Sequence, residues 1–294
     1  MTSRRSTGLP GLDATHDFIR ARRRATLARL AHRLRGEPDD VSLVLPYTEV
    51  IEALGFLSEH QLGLRVIPLE AIVGTVDRGR DFDRRFRPTS ARVRSRWEQI
   101  AVAMRRGESL PPVELTKIGE IYFVRDGHHR VSVARALGLR DIDAYVTEVV
   151  TRVGADHAIT LADLPLKSHE RVFFERVPVP EEARSEIRLT DPWDYAELAE
   201  SVEAWGFRTQ QDLREPLDRV TTARRWLEHE YRPVVEMLRE AELIDERTET
   251  EAYMQIVAAR YRLLRTHDWN EEVLQQVLEG QPRRRWPKRG ARTP

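Results

Sequence analysis

The chain contains no cysteine among its 294 residues and no long apolar run. Without cysteine, disulfide bonds, thiolate metal sites and cysteine nucleophiles are excluded. No stretch approaches the roughly 18 consecutive apolar residues that a membrane-spanning helix requires. The first residues, MTSRRSTGLPGLD, lack the apolar core of a secretory signal. We therefore expect no membrane partner and a cytoplasmic location.

The chain also lacks net charge, because 48 Lys and Arg residues balance 48 Asp and Glu residues. The charges are unevenly placed, however. Basic residues are concentrated in Arg20–Arg35 and Arg283–Arg292, and acidic residues in Glu181–Glu203. A nucleic-acid-binding domain often carries net positive charge, which this chain does not. The tail, residues 281–294, is interpreted as a disordered solubilising end or, alternatively, as a contact for DNA or an acidic partner.

Helical periodicity begins close to the N-terminus. A helix is predicted over Asp13–Leu34, with Asp13 as its cap and an apolar face of Phe18, Leu27, Leu30, Ala31 and Leu34. A second, short helix is predicted over Pro46–Leu57. Together they form a predicted helical N-terminal arm over residues 1–62.

The next segment, residues 63–150, alternates between strand and helix patterns. Strands are predicted at Arg65–Pro68, Pro111–Lys117, Glu120–Arg125 and Asp141–Val149. Helices are predicted at Ser95–Arg106 and at His128–Leu137, which Gly138 closes. Gly74–Pro88 is predicted to be a charged loop. This order predicts a compact domain of the mixed α/β class.

Helical patterns return after a predicted linker over residues 151–184. Residues 185–280 are predicted to form a mainly helical C-terminal domain. Its helices are expected from Asp191 onward and at Thr221–Leu243, Thr250–Leu264 and Asn270–Leu278. Asp191 is the predicted cap of the first helix and Gly206 its predicted end, whereas Pro233 is expected to kink or divide the second.

The segment with the clearest chemistry is DGHHR, residues 126–130, which follows a predicted strand and opens a helix. Backbone N–H groups at a helix N-terminus lack intrahelical partners, and the helix dipole is positive there, so phosphate binds readily. Gly127 would let a phosphate approach the backbone, and Arg130 offers a planar fork of donors. Further donors come from His128, His129 and Ser132. The alternative is an ordinary capped helix with solvated polar residues.

The span Arg65–Val149 resembles the ParB/sulfiredoxin superfamily in the order and spacing of its segments. IPLEAIVG (Ile67–Gly74) resembles the family's first strand. The helix around Trp97–Met104 and PPVELTKIGEIYFVRDGHHRVSVARALGLRDIDAYV (Pro111–Val146) resemble its middle and end. Partitioning ParB proteins carry Gly-Glu-Arg-Arg where this chain has Gly127–Arg130, and there the motif cradles the triphosphate of CTP. The Asp-Gly-His-His-Arg form is closer to kinase-like members, such as the ADP-dependent free-serine kinases.

The resemblance implies a ParB/sulfiredoxin-like α/β domain that binds a nucleotide, CTP, ATP or ADP, together with Mg²⁺. Two differences from the family's pattern reduce the number of activities that the resemblance implies. Sulfiredoxins place a cysteine just before their His-Arg pair, where this chain has His128, so sulfiredoxin chemistry is excluded. Partitioning ParB proteins continue into a helix-turn-helix DNA reader, and no clear one follows Val150.

The loop Gly74–Pro88 occupies the place of the family's first nucleotide-contacting box, with a different sequence. Its arginines Arg78, Arg80 and Arg84 are predicted to meet phosphates. Its carboxylates Asp77, Asp81 and Asp83 are predicted to hold Mg²⁺ or to act as a base. Asp77 and Asp126 are the metal ligands we favour. The alternative is a solvated charged loop.

Two hypotheses about function follow. In the first, the protein is an NTPase or a kinase with a small-molecule acceptor, because phosphoryl transfer needs mainly positioning and charge stabilisation. Asp126 and His128 would be catalytic. The nucleotide would be bound by Gly127, His128, His129, Arg130, Ser132, Arg78 and Arg80. In the second, the protein is a non-enzymatic nucleotide-gated switch, or a DNA-associated protein that uses its basic ends. A homodimer is compatible with both.

Overall fold

A computed structural model describes residues 7–36, 44–76, 81–156 and 158–264, with the short pieces 272–273 and 276–277. Contacts within the chain group into two units, Met1–Arg171 and Val172–Pro294. Several predictions lie outside the described residues: the tail, most of the helix Asn270–Leu278, and the site residues Asp77, Arg78 and Arg80. The helices that the structure describes are all too short or too polar to cross a membrane.

The first unit is built on a mixed sheet of six described strands. They are β1 (Leu45–Pro46), β2 (Phe56–Pro68), β3 (Ile72–Thr75), β4 (Val113–Ile118), β5 (Ile121–Asp126) and β6 (Asp141–Thr151). The strand order is β1-β3-β5-β4-β6-β2. Strands β1, β3 and β5 run parallel, β4 is antiparallel to β5 and parallel to β6, and β2 is antiparallel to β6. The predicted mixed α/β class is therefore confirmed.

Four helices pack around or follow this sheet in the described part of the first unit. They are α1 (Pro10–Leu34), α2 (Tyr47–Leu54), α3 (Arg94–Arg105) and α4 (His128–Leu137). Helix α4 has the predicted bounds, and Gly138 ends it in the left-handed conformation with a φ of 78°. Trp97 of α3 is fully buried against Phe18 of α1, whose ring it meets edge-on at 5.5 Å. This packing joins α1 to the core of the α/β unit.

Two predictions about helix α1 are wrong. Asp13 is not its cap, because the helix begins earlier, at Pro10, and the Asp13 carboxylate instead accepts the backbone N–H of Thr7 at 2.9 Å. The predicted apolar face is also wrong: Phe18 is buried, but Leu27, Leu30 and Leu34 are exposed. The buried face consists of Asp13, Ala14, Asp17, Phe18, Ala21 and Ala25. Small alanines let α1 approach its neighbours closely, whereas the larger leucines follow the opposite face.

The boundary between α2 and β2 corrects a third prediction. The predicted helix Pro46–Leu57 stops at Leu54, because Gly55 follows with a φ of 76°, and β2 begins at Phe56. Strand β2 is much longer than the predicted Arg65–Pro68, since it pairs with β6 from Phe56 to Pro68. Most of its residues are exposed on both faces, so the sequence shows no alternation there.

The second unit is helical in its described part. A boundary helix, α5 (Leu164–Arg176), is followed by α6 (Asp194–Leu213), α7 (Arg219–Trp226), α8 (Arg232–Glu240) and α9 (Glu249–Leu264). A π-helical segment, Leu227–Tyr231, separates α7 from α8. This segment confirms the predicted division of the helix at Pro233. Proline divides the helix because it lacks the backbone N–H and its ring clashes with the carbonyl four residues earlier.

The start and end predicted for α6 are both wrong. The helix begins at Asp194, although the Asp191 carboxylate does accept the backbone N–H of Trp193 at 2.9 Å. Gly206 does not end it, and the helix continues to Leu213. A Cβ at Gly206 would lie 2.4 Å from Cγ2 of Thr222, so this glycine serves close packing of α6 against α7.

Candidate functional site

The carboxyl ends of three neighbouring parallel strands meet at one edge of the sheet. Pro46 at the end of β1 pairs with Thr75 at the end of β3, and Thr75 pairs with Val124 of β5. Helix α2 begins immediately after β1, and α4 begins one residue after β5. Two helix N-termini therefore flank Thr75 at this carboxyl edge. In open α/β sheets, ligands bind in the crevice outside the carboxyl ends of such strands.

The parallel strands approach closely at Gly74. A Cβ there would lie 2.1 Å from the Phe123 ring and 2.8 Å from the Leu45 carbonyl oxygen. The Phe123 ring also meets the Tyr47 ring edge-on at 5.7 Å, at the start of α2. Burial raises the pKa of the Tyr47 phenol, and the positive charge of Arg125 partly opposes this rise. Tyr47 and Arg125 therefore belong to the same edge.

Gly127 makes the turn from β5 into α4. Its φ of 101° lies in the left-handed region, and a Cβ would lie 2.5 Å from Cγ1 of Val113. Gly127 is itself the N-cap residue, and it has no side chain with which to cap the helix. Asp126 is therefore not the cap. The first backbone N–H groups of α4 have no partner within the helix, and they concentrate positive potential at the carboxyl edge.

The Arg130 guanidinium forms hydrogen bonds within the protein. Its guanidinium donates to the carbonyl oxygens of Pro111 at 2.5 Å and Pro112 at 2.8 Å, and to Oδ2 of Asp126 at 2.5 Å. The Asp126 side chain is 63% exposed, whereas that of Arg130 is 13% exposed. In this structure Arg130 connects the first turn of α4 to the segment before β4 by hydrogen bonds. The exposed Asp126 carboxylate neutralises the charge of the Arg130 guanidinium.

His128, the first residue of α4, lies in a partly aromatic environment. Its Nε2 atom is 2.6 Å from Oγ1 of Thr75, and either atom is able to donate the proton. Its ring stacks on Phe82 at 6.4 Å and lies 6.4 Å from the ring of Phe86. Thr75 also approaches the Val124 carbonyl at 3.4 Å. His128 therefore couples the start of α4 to the end of β3.

His129 and Ser132 point to different surroundings. The His129 ring meets Phe82 edge-on at 5.5 Å and is half-buried. Ser132 is 2% exposed, and its hydroxyl accepts the indole N–H of Trp97 at 2.8 Å. The structure thus brings Asp126, Gly127, His128, His129 and Arg130 together at the turn, and it places Ser132 in the core between α3 and α4.

The described part of the loop after β3 is held by its own contacts. Buried Asp83 accepts the backbone N–H groups of Arg85 at 3.0 Å and Arg87 at 2.9 Å, and the Arg87 guanidinium at 2.7 Å. Arg84 donates to the Ile159 carbonyl at 2.5 Å, and burial lowers the pKa of its guanidinium. Asp83 and Arg84 therefore shape this loop, and their predicted roles as Mg²⁺ and phosphate contacts have no support in these bonds.

Sequence reasoning missed Thr75, Phe82 and Phe86, and although it predicted the start of α2 near Pro46, it did not place that start at this edge. Strand β1 has only two residues, which is too short to show a pattern, so the sequence did not indicate that the helix after Pro46 begins at this edge of the sheet. The aromatic residues of RDFDRRF carried a signal, because buried aromatics in a charged loop indicate that the loop packs on the domain. In the described part of the chain, no group of three or more His, Asp and Glu side chains is arranged to hold a metal ion.

Comparison with known proteins adds no family assignment. No family model matches the chain, and no curated protein is significantly similar to it.

Proposed function

We propose that the protein binds a Mg²⁺-nucleotide, CTP, ATP or ADP, with its phosphates at the N-terminus of α4. One observation carries the proposal: α4 starts through left-handed Gly127, which has no side chain of its own to cap the helix, at the carboxyl edge of β1, β3 and β5. A helix start at such an edge combines donor N–H groups, positive potential and a crevice. The ParB/sulfiredoxin-like character of the domain and a cytoplasmic location are parts of the same proposal.

The residues present fit the phosphate groups of such a ligand. The N–H groups of the first turn of α4 would contact phosphate oxygens, and His129 would add a donor from the same turn. Arg130 would serve if a phosphate replaced Asp126 as the partner of its guanidinium, which suits a planar bidentate contact. Asp126 is exposed at the end of β5, so its carboxylate is accessible to a Mg²⁺ ion held mainly by phosphate oxygens.

The activity that suits this arrangement is phosphoryl transfer, by an NTPase or a small-molecule kinase. Such chemistry requires chiefly that phosphates be positioned and their charge be stabilised. Asp126 would orient the metal ion or a substrate hydroxyl. His128, bonded to Thr75, would keep the turn in place and supply a titratable group beside it. The alternative, a nucleotide-gated switch, uses the same site without turnover.

Binding is tested by thermal denaturation of the full chain with CTP, ATP, ADP and GTP, each with and without Mg²⁺. A ligand at 100 times its Kd adds roughly 2.7 kcal/mol to the free energy of unfolding. The decisive variant is His129→Glu, with His129→Gln as its neutral control. A glutamate in the first turn favours the helix dipole but repels phosphate. We expect His129→Glu to fold and to lose nucleotide stabilisation, whereas His129→Gln retains most of it.

Turnover separates the two forms of the proposal. Release of phosphate, or its transfer to an added hydroxyl compound, identifies an enzyme, and tight binding without either identifies a switch. If no nucleotide stabilises the wild-type chain, or if His129→Glu is stabilised as much as the wild type, the site at α4 is wrong. The predicted homodimer and the predicted DNA contact of the basic tail stay predictions.

A further inference from the structure

A large cleft in the first unit lies away from the DGHHR turn. It has a volume of about 1560 Å³, with one wall from α1 and others from the second half of α4, the start of β3 and residues 83–87. Its basic lining consists of Arg20, Arg24, His32, Arg35, Arg84, Arg85, Arg87, Arg135 and Arg140. Residues 126–130 do not line it. The cleft is therefore separate from the proposed nucleotide site.

The acidic residues of the cleft neutralise only part of this charge. Asp17 binds Arg105 of α3, which lies outside the lining, and also lies 4.0 Å from the Arg20 guanidinium, and Asp83 binds Arg87. The remaining acidic lining residues, Glu70 and Asp141, are both exposed. Within the described ranges, no carboxylate lies within ion-pair distance of Arg24, Arg85, Arg135 or Arg140. The cleft thus contains four guanidinium groups that have no carboxylate within ion-pair distance among the described residues, although Asp83 and Glu70 act on Arg135 from further away.

Arg135 is the most constrained of these arginines. Its guanidinium donates to the carbonyl oxygens of Leu69 and Ile72, the latter at 2.7 Å, and lies 5.3 Å from the centre of the Phe86 ring. Burial lowers its pKa to about 10. Carbonyl oxygens accept these hydrogen bonds but supply only partial negative charge, and the carboxylates of Asp83 and Glu70 act on the guanidinium only from beyond ion-pair distance. A half-buried cation held in this way favours an anion in the adjoining cleft.

The lining also indicates how such an anion is recognised. No Phe, Tyr or Trp occurs among the described residues of the wall, so bases would find no aromatic surface to stack on. Guanidinium groups spread along α1 and around the end of α4 match several phosphates rather than one. The volume exceeds the roughly 300–1,000 Å³ of ordinary small-ligand pockets. These features fit an extended ligand that is held by its phosphates.

We propose that this cleft binds a chain of phosphates, recognised through its phosphate oxygens by Arg24, Arg85, Arg135 and Arg140. The chain would come either from a single-stranded nucleic acid or from a linear polyphosphate, since both present repeated anionic phosphate oxygens along a flexible chain. The proposal does not depend on nucleotide binding at α4, because the two sites share no residue.

The test measures binding of two probes to the full chain at low salt: fluorescently labelled dT12 by anisotropy and tripolyphosphate by calorimetry. The decisive variant is Arg24→Ala/Arg140→Ala, in which both arginines are exposed and therefore dispensable for folding. The matched control is Arg22→Ala/Arg29→Ala, which removes the same charge from exposed positions of α1 outside the cleft. We expect the cleft variant to bind on the order of tenfold more weakly, and the control to bind nearly as well as the wild type.

Salt dependence gives a second readout for dT12. Loss of two phosphate contacts should reduce the slope of log K against log salt by about 1.4, because each contact to a single strand contributes about 0.7. Binding of dT12 in this pattern assigns the cleft to nucleic acid. Binding of tripolyphosphate but not dT12, weakened by the cleft variant and kept by the control, assigns it to polyphosphate. If both double variants weaken binding equally, or if neither probe binds the wild type, the proposal is overturned. His129→Glu should leave the affinity for dT12 unchanged, and any tripolyphosphate binding that it removes belongs to α4, so failure of the nucleotide site is recognised separately.

Discussion

The Nε2 atom of His128 lies 2.6 Å from the Oγ1 atom of Thr75, so the first residue of α4 is bonded to the last residue of β3. The two residues are far apart in sequence, and each closes a different βα connection at the carboxyl edge. This bond fixes the position of the α4 N-terminus relative to the parallel strands, which is the geometry on which phosphate binding at the turn would depend.

The first prediction concerns that bond. Thr75→Val keeps the shape of the side chain but removes the hydroxyl, so the hydrogen bond to His128 is lost at a nearly buried position. The free energy of unfolding should fall by about 1 kcal/mol, the usual net value of such a bond. Thr75→Ser retains the hydroxyl and should keep the bond. Urea denaturation measures both variants, and equal stability of Thr75→Val and the wild type would show that the bond contributes nothing.

The second prediction concerns the turn at Gly127. Gly127→Ala should be destabilised by roughly 1–3 kcal/mol from its left-handed backbone, with a further cost from the contact with Val113. Gly63→Ala is the matched control, because Gly63 has a φ of 72° but open space around its Cβ position. The difference between the two variants isolates the cost of crowding. If both variants lose the same free energy of unfolding, the Val113 side chain moves away from the added Cβ, and crowding at Gly127 contributes no cost.

How far the sequence predicts this fold is clearest in α4 and β2. The bounds of α4 follow from a strand, a glycine, an apolar periodicity and the closing Gly138, all of which are local signals. Strand β2 was predicted over only four of its 13 residues, because it is defined by its partner β6 rather than by its own pattern. Residues whose structure is imposed by a distant strand carry little local signal.

The candidate site shows the same limit. The residues of the DGHHR turn were found together because they are adjacent in the chain. The contacts of Arg130 with Pro111 and Pro112, and of Ser132 with Trp97, could not be predicted. They depend on which face of α4 meets which element, and a helix of ten residues presents polar groups in every direction.

The third prediction concerns a buried ion pair in the second unit. Glu230, in the π-helical segment, binds Arg260 of α9 at 3.0 Å, and the two side chains are 7% and 1% exposed. Glu230→Gln leaves Arg260 charged and buried, which should lower the free energy of unfolding by about 3–5 kcal/mol. The control is Glu236→Gln, because the pair of Glu236 with Arg239 is exposed and worth about 0–1 kcal/mol. Thermal denaturation compares them, and similar losses in both variants would contradict the prediction.

The fourth prediction concerns alkaline pH. Burial raises the pKa of Tyr231 from its ordinary value of 10.0 to about 12. A raised folded-state pKa means that the stability contribution is complete below pH 10 and is lost as pH rises through 12, at a cost of about 2–3 kcal/mol. Denaturation at fixed pH values measures this decline. Tyr231→Phe should be less stable at neutral pH, because it loses the bond to Thr250, but should decline less steeply. Tyr145→Phe, at an exposed position, is the control for the substitution itself.

The last prediction separates the roles of Asp126. Its carboxylate pairs with Arg130 at the surface, so Asp126→Asn should change the free energy of unfolding by no more than about 1 kcal/mol. The variant removes a negative charge beside the proposed phosphate position and releases the Arg130 guanidinium. Nucleotide should therefore bind at least as tightly as to the wild type without Mg²⁺. Asparagine is a poor Mg²⁺ ligand and no base, so turnover should fall to little or none.

Glu114→Gln is the matched control, because Glu114 lies opposite Asp126 in the register of β4 with β5 and its side chain is also exposed. It removes the same charge from the neighbouring strand and should leave turnover unchanged. Phosphate release and Mg²⁺-dependent binding are measured for both variants. If Asp126→Asn turned over nucleotide at the wild-type rate, Asp126 would have no catalytic role and would serve only in its ion pair with Arg130. Equal losses in both variants would attribute the effect to the general charge of this edge rather than to a carboxylate placed beside the turn.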